Sequence, residues 1–126
     1  MGRTNFEKLR VYKLAEHLAD GIWDVVLRWD PLARDTVGKQ IVRAADSIGA
    51  NIAEGTGRHN FKDNKRFVRT ARGSLNETQH FLRRAFKRKL LTSADVKTLK
   101  PLVDNLAPQL NSYLKSIGRN HDENAD

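Results

Sequence analysis

The sequence predicts an all-α protein, an up-and-down antiparallel four-helix bundle, and three observations carry that expectation. Apolar residues recur three and four apart in four separate segments, the spacing that lines one side of a helix. Glycine and proline are sparse, at eight and three in 126 residues, and no run alternates polar with apolar as a half-buried strand would. Short polar stretches join the segments, which makes consecutive helices antiparallel neighbours.

In the first segment Val11, Ala15, Leu18, Ile22, Val25 and Trp29 step by four and three in turn. Asp30-Pro31 is expected to end it, because proline restricts the residue before it. A polar loop through Arg34 and Asp35 follows, with Asp35 or Thr36 placed to cap the next helix. The second segment buries Val37, Ile41, Ala44, Ala45, Ile48 and Ile52 and is expected to stop at Gly55 and Gly57, since glycine takes a left-handed C-terminal cap without strain. Its small residues, Ala44, Ala45, Ser47, Gly49, Ala50 and Ala53, permit a close helix approach. The third segment runs from about Asn60 to Lys89, with Phe67 or Val68, Ala71, Leu75, Thr78, Leu82 and Ala85 or Phe86 facing inward. Thr92 with Asp95 resembles a capping box opening the fourth. There Val96, Leu99, Val103, Leu106, Leu110, Tyr113 and Ile117 keep one phase across Pro101 and Pro108, which predicts one kinked helix, or two shorter ones. A single domain over residues 1–118 results, with a polar tail over 119–126.

Twenty-three Lys and Arg against fifteen Asp and Glu give a formal charge of +8, and its location says more than its size. Residues 61–90 hold ten basic residues and two acidic ones, Asp63 and Glu77, while the remainder balances at thirteen of each. With no cysteine, a disulfide framework, a Cys-based zinc site and sulfur redox chemistry are excluded, which fits a cytoplasmic location. The start, Met-Gly-Arg-Thr-Asn-Phe-Glu-Lys, lacks an apolar signal region, and no stretch approaches the roughly 18 apolar residues of a membrane span. Gly2 is not followed by the hydroxyl residue that a myristoylation pattern needs, because Phe6 stands there. No membrane partner is expected.

Lys62, Lys65, Arg69, Arg72, Arg83 and Lys87 share one flank of the third helix, and Asn76 and Gln79 fill the gap between them. A row of cations on a rigid rod can track phosphates, releasing counterions as it binds. A merely solvated face normally mixes both signs, which this one does not. Arg58, Arg66, Arg84 and Arg88 extend the expected contact set. No base-reading motif is present, and Phe61, Phe67 and Phe86 read as core residues, so binding is expected to follow shape and charge.

Catalytic patterns are incomplete. Glu77-Thr-Gln-His80 is one Glu-x-x-His pair where a di-iron bundle needs two with further carboxylates. Glu16, Asp20 and Asp24 read as carboxylates on an exposed helix face. Arg10 and His17 share a side of the first helix, and such a pair could steady a phosphate and move a proton in an endoribonuclease, but a polar residue that usually follows the Arg is missing. Gly55-Thr-Gly57 follows no strand and precedes no Gly-Lys-Ser or Gly-Lys-Thr, so it cradles no phosphate. No catalytic residue, metal or cofactor is expected.

The run Arg43-Ala-Ala-Asp-Ser47-Ile-Gly-Ala-Asn51-Ile-Ala-Glu54-Gly-Thr-Gly57-Arg58 resembles the signature of the 23S rRNA intervening-sequence proteins, also called the four helix bundle protein family. Phe6-Glu-Lys-Leu-Arg-Val-Tyr-Lys-Leu-Ala15 and Arg66-Phe-Val, Ala71 and Gly73-Ser-Leu-Asn-Glu77 support it, so that the resemblance covers residues 6 to about 90. It implies a small helical bundle and assembly as a homo-oligomer, a five-fold ring in relatives. A related accessory protein of diversity-generating retroelements is a basic pentameric barrel that engages reverse transcriptase and RNA, which implies a similar protein partner. Gly49 stands where the family commonly has proline, and a bend is expected there. Within the signature, Arg43, Ser47, Asn51, Glu54, Gly55, Gly57 and Arg58 are expected to act structurally, with Asn51 cross-linking helices and Glu54 pairing with Arg58 or Arg43.

The sequence therefore points to a non-enzymatic, homo-oligomeric, cytoplasmic protein binding nucleic acid, RNA ahead of DNA, through its third helix. The rival expectation is a protein-interaction scaffold whose cations meet an acidic partner or a neighbouring subunit. Trp23, Val26, Phe81 and Leu91 fall off the inner stripes and are expected at subunit contacts.

Overall fold

The alternating apolar spacing becomes four packed helices in the computed structural model, which describes residues 5–119. A 3-10 turn over Asn5–Lys8 leads into α1 (Arg10–Val26). Val11, Ala15, Leu18, Ile22, Val25 and Trp29 are all buried on one side. Past the helix end, the Trp29 indole N–H donates to the Leu90 carbonyl at 2.9 Å, tying α1 to the far end of the chain's third helix.

The Asp30-Pro31 pair starts a helix as well as ending one. The Asp30 carboxylate accepts from the Ala33 N–H at 3.2 Å and proline occupies the first helical position, where its missing donor is harmless. One helical turn over Pro31–Ala33 and a wider π turn over Arg34–Gly38 then run without a break into α2 (Lys39–Thr56). The expected loop through Arg34 and Asp35 is therefore helical, and Thr36 donates to the Leu32 carbonyl at 2.6 Å instead of capping.

The helix α2 continues without interruption through Gly49, so no break accompanies the family departure there. At its end Gly57 has φ −81 and ψ −1, a right-handed conformation that does not need glycine. Gly55 matters for another reason: a Cβ there would lie 2.5 Å from Asn64 Oδ1 and 3.1 Å from the Asn64 carbonyl. Its hydrogen atom lets α2 approach α3 (Phe61–Lys87) closely, and these two helices form the tightest pair in the bundle.

Asn60 caps α3 by accepting from the Asp63 N–H at 2.8 Å. The 27 residues of α3 make a rod of about 40 Å at 1.5 Å per residue. Its phase resolves the two open choices, since Val68 and Ala85 are buried while Phe67 is half-buried and Phe86 is 60% exposed. Phe86 is thus not a core residue. Lys89, at φ 61, turns the chain, and the Leu90 N–H returns to the Ala85 carbonyl at 2.9 Å in a left-handed cap usually given to glycine.

The capping box forms as expected: Thr92 accepts from the Asp95 N–H at 3.0 Å and Asp95 accepts from the Thr92 N–H at 2.9 Å. From there α4 (Ser93–Ser116) is one uninterrupted helix across Pro101 and Pro108, both on its exposed side. Leu99, Val103, Leu106 and Leu110 join the core. Gly118, at φ +77, closes the chain against the Phe61 ring, 2.9 Å from where a Cβ would be.

The helix α1 packs on α2 and α4, and α3 packs closely on α2 but loosely on α4. This places α1 and α3 on opposite corners of a square. Among the described residues there is no strand, and no helix is long and apolar enough to cross a membrane. Residues 120–126 of the expected tail lie outside the described residues.

Candidate functional site

With Val68, Ala71, Leu75, Thr78 and Ala85 turned into the core, the opposite side of α3 is left to its cations. Lys62, Arg66, Arg69, Arg72, Arg83, Lys87 and Arg88 are exposed, while Lys65 and Arg84 are half-buried. Among the described residues Lys62, Lys65, Arg69, Arg83, Arg84, Lys87 and Arg88 make no hydrogen bond or ion pair through their side chains. The other three are engaged. Arg58 bonds Glu54 at 2.7 Å; Arg66 sits 3.7 Å from Asp63; Arg72 reaches Asn111 on α4 at 3.4 Å. Arg58 and Arg66 also each lie over the Phe67 ring, 4.6 Å from its centroid, so that Phe67 is engaged with cations.

The cations form two groups. One runs from Arg58 to Arg72 and the other from Arg83 to Arg88, separated by the ten residues between Arg72 and Arg83, about 16 Å along the helix. Asn76 and Gln79 in the gap are exposed and neutral, as the sequence suggested, whereas Glu77 puts one carboxylate into it. Helical rotation also divides the second group. Arg83 borders a groove between α3 and α4, and Arg84 and Arg88 turn toward α2.

The residues of the signature act mostly within α2. Ser47 donates to the Arg43 carbonyl at 2.8 Å, and Asn51 donates to the Ser47 carbonyl at 2.8 Å. Asn51 therefore does not cross-link helices; its amide is spent on its own helix. Glu54 pairs with Arg58, leaving Arg43 exposed and, among the described residues, without an ion pair.

Arg10 and His17 are both exposed on α1, and Glu77 and His80 are exposed on α3. Among the described residues no three His, Asp or Glu side chains converge to hold a metal.

Two apolar grooves lie on opposite faces. One, of about 320 Å³, runs between α1 and α2 past Trp23, Leu27 and Val42. The second, of about 470 Å³, opens where α3 and α4 diverge, lined by Phe86, Leu91, Val96 and Val103. Trp23 is 53% exposed, but Val26, expected at a contact, is buried core, since it packs inward beside Val25. Leu27, which the apolar stripe did not include, and Phe86, which helical phase allowed inward, are exposed instead. Burial, together with the like charge of Asp20 on α1, raises the Asp46 carboxyl on α2 above its ordinary range.

One ionic tie joins distant parts of the chain. Asp95, 6% exposed, accepts from Arg28 at the end of α1. Burial pushes its carboxyl up, but the bonds from Arg28 and Thr92 and the Arg28 charge outweigh this and hold it below the usual range.

A family model described as 23S rRNA-intervening sequence protein matches residues 7–112. No curated protein matches the chain.

Proposed function

Since the chain belongs to the 23S rRNA-intervening sequence protein family, we propose that it binds RNA through the cationic side of α3, without a chemical step of its own. The observation that carries this reading is the set of seven cations along α3 and its C-terminal cap that have no ion pair among the described residues. Such a surface meets phosphates by charge and shape, and the exposed aromatics at its two ends, Phe61 and Phe86, carry no hydrogen-bonding groups with which to read a base.

A homo-oligomer fits the two apolar grooves. They are unlike surfaces on opposite faces, so a contact between them is head-to-tail, which closes into a ring when the rotation allows. Apolar contact carries the pairing, since both grooves have cations at their walls: Arg34, Lys39 and Arg43 with Asp35 line the α1–α2 groove, and Arg83 and Lys100 with Asp104 line the α3–α4 one. A five-fold ring is the form the family resemblance suggests, and a reverse transcriptase is a possible protein partner on the same ground.

Changing Arg69, Arg72, Arg83 and Lys87 together to Glu tests the reading. These side chains lie outside the core, so the helical spectrum should persist while RNA retention at low salt disappears. Undiminished RNA retention by the folded variant refutes α3 as the site. Loss of assembly in light scattering, with no RNA affinity in the parent protein, favours the scaffold.

A further inference from the structure

Arg84 and Arg88 line a cleft of about 520 Å³ between the end of α3 and the start of α2. Lys39 and Arg43 enter it from α2. Antiparallel packing brings these four together from positions more than forty residues apart, and His80 adds an imidazole at the same wall. Asp35 is the sole carboxylate among the lining residues, and none of the four cations has an ion pair among the described residues.

Part of this has a local explanation. Cations in the last turn of a helix complement its dipole, and Arg84 lies in the last turn of α3 with Arg88 just beyond it. Lys39 and Arg43 gain nothing of the kind, because the helical run containing them begins eight residues earlier, at Pro31. Four like charges gathered in one concavity repel one another, and among the described residues only the Asp35 carboxylate lines the cleft with them. The floor is apolar, with Val37 buried and Phe81 half-buried. Phe81 lies edge-on to His80, ring centroids 5.1 Å apart. Thr36 and Gln40 supply neutral hydrogen-bonding groups.

This is the composition of a nucleotide site: cations for a phosphate, ring edges and a guanidinium for a base, and a volume within the range of small-ligand clefts. The convex ridge of α3 can lie along a nucleic-acid backbone, whereas a concave cleft admits a group that projects. We propose that the cleft binds a terminal phosphate monoester of a nucleotide, whether free or at the end of an RNA strand. This rests on the RNA reading above only for the second source. Arg43 then has a role that the hydrogen bonds inside α2 leave unfilled.

The test uses the full-length protein and one short single-stranded RNA carrying a 5′-phosphate, a 3′-phosphate or hydroxyls at both ends, with uridine monophosphate as the free nucleotide. A terminal monoester adds charge that arginines can meet in bidentate fashion, so a phosphorylated end should bind about tenfold tighter than the hydroxyl form. The double variant Lys39→Gln, Arg43→Gln should abolish that preference and leave binding of the hydroxyl RNA unchanged, because neither residue belongs to α3. A second variant, Arg84→Gln with Arg88→Gln, should do the same to the preference, with circular dichroism verifying the fold of each. If uridine monophosphate alone binds and is lost in both variants, the ligand is a free nucleotide and the pocket stands even if RNA binding through α3 fails. If the hydroxyl RNA binds and no terminal phosphate improves it, or if the improvement survives both variants, the pocket is refuted while RNA binding through α3 stands.

Discussion

Salt dependence gives the RNA reading its sharpest number. Among the described residues Lys62, Lys65, Arg69, Arg83, Arg84, Lys87 and Arg88 have no ion pair, and each phosphate they neutralise adds about −0.7 to the slope of log affinity against log salt for a single strand, or about −0.9 for a duplex. Seven contacts therefore set a ceiling near a slope of about −5 for single-stranded RNA and about −6 for duplex. A fourfold rise in salt would then weaken single-strand binding by about a thousandfold. Arg58 and Arg66 add little, because breaking their contacts with Glu54, Asp63 and Phe67 offsets what a phosphate returns. Changing Arg69 and Lys87 to Gln should flatten the single-strand slope by about 1.4. Fluorescence anisotropy with a labelled RNA over a salt series measures both quantities. A parent slope shallower than about −2, or a variant slope equal to the parent's, would contradict binding by these cations.

Three further outcomes concern the bundle itself. Asp95→Asn removes a charged hydrogen bond whose partner Arg28 is 55% exposed, so about 1.5 kcal/mol is expected after solvent screening, a fall of about 6 °C in melting temperature for a domain of this size. Because the folded carboxyl is held low, that stabilisation is complete above the unfolded value of about 3.9 and fades as pH falls through the folded one; equal differences between parent and variant at neutral and strongly acid pH would disprove it. Gly55→Ala should destabilise by about 1–2 kcal/mol in urea unfolding, since the clash with the Asn64 carbonyl exceeds the gain in helix propensity; a more stable variant would show that α2 and α3 can separate freely. Lys89→Gly should stabilise by about 0.5–1 kcal/mol, because it relieves a left-handed lysine, and an unchanged midpoint would mean that the turn relaxes in solution.

The periodicity made the helices and their inward faces legible. Phase alone could not separate Phe67 from Val68, or Ala85 from Phe86, because adjacent residues differ by only about 100° and the neighbouring helix decides which is covered. Two local signals were misread for a common reason. Asp30-Pro31 serves as both the stop of one helix and the start of the next, and Gly55 answers to Asn64 across an interface, so neither role belongs to one segment. Exposure of the α3 cations followed from its apolar stripe. The convergence of Lys39 and Arg43 on Arg84 and Arg88 depends on the register of α2 against α3, which no single segment contains. The tie between Arg28 and Asp95 was hidden likewise, since Asp95 already had a sufficient local role as a capping residue.

The two prolines of α4 also bear on how the bundle opens. They stand seven residues apart on the exposed side, so the N–H groups they lack fall nearly in one line and leave the carbonyls of Lys97 and Asp104 without their usual helical partners. Bends at the two points then add in one direction, curving α4 around the core. A helix with two rungs missing on one side, packed loosely against α3, is the element whose amide protons should exchange first in the native protein. Its transient release would uncover Leu106 and Leu110 while α2 and α3 remain together, making α4 the door through which this bundle unfolds.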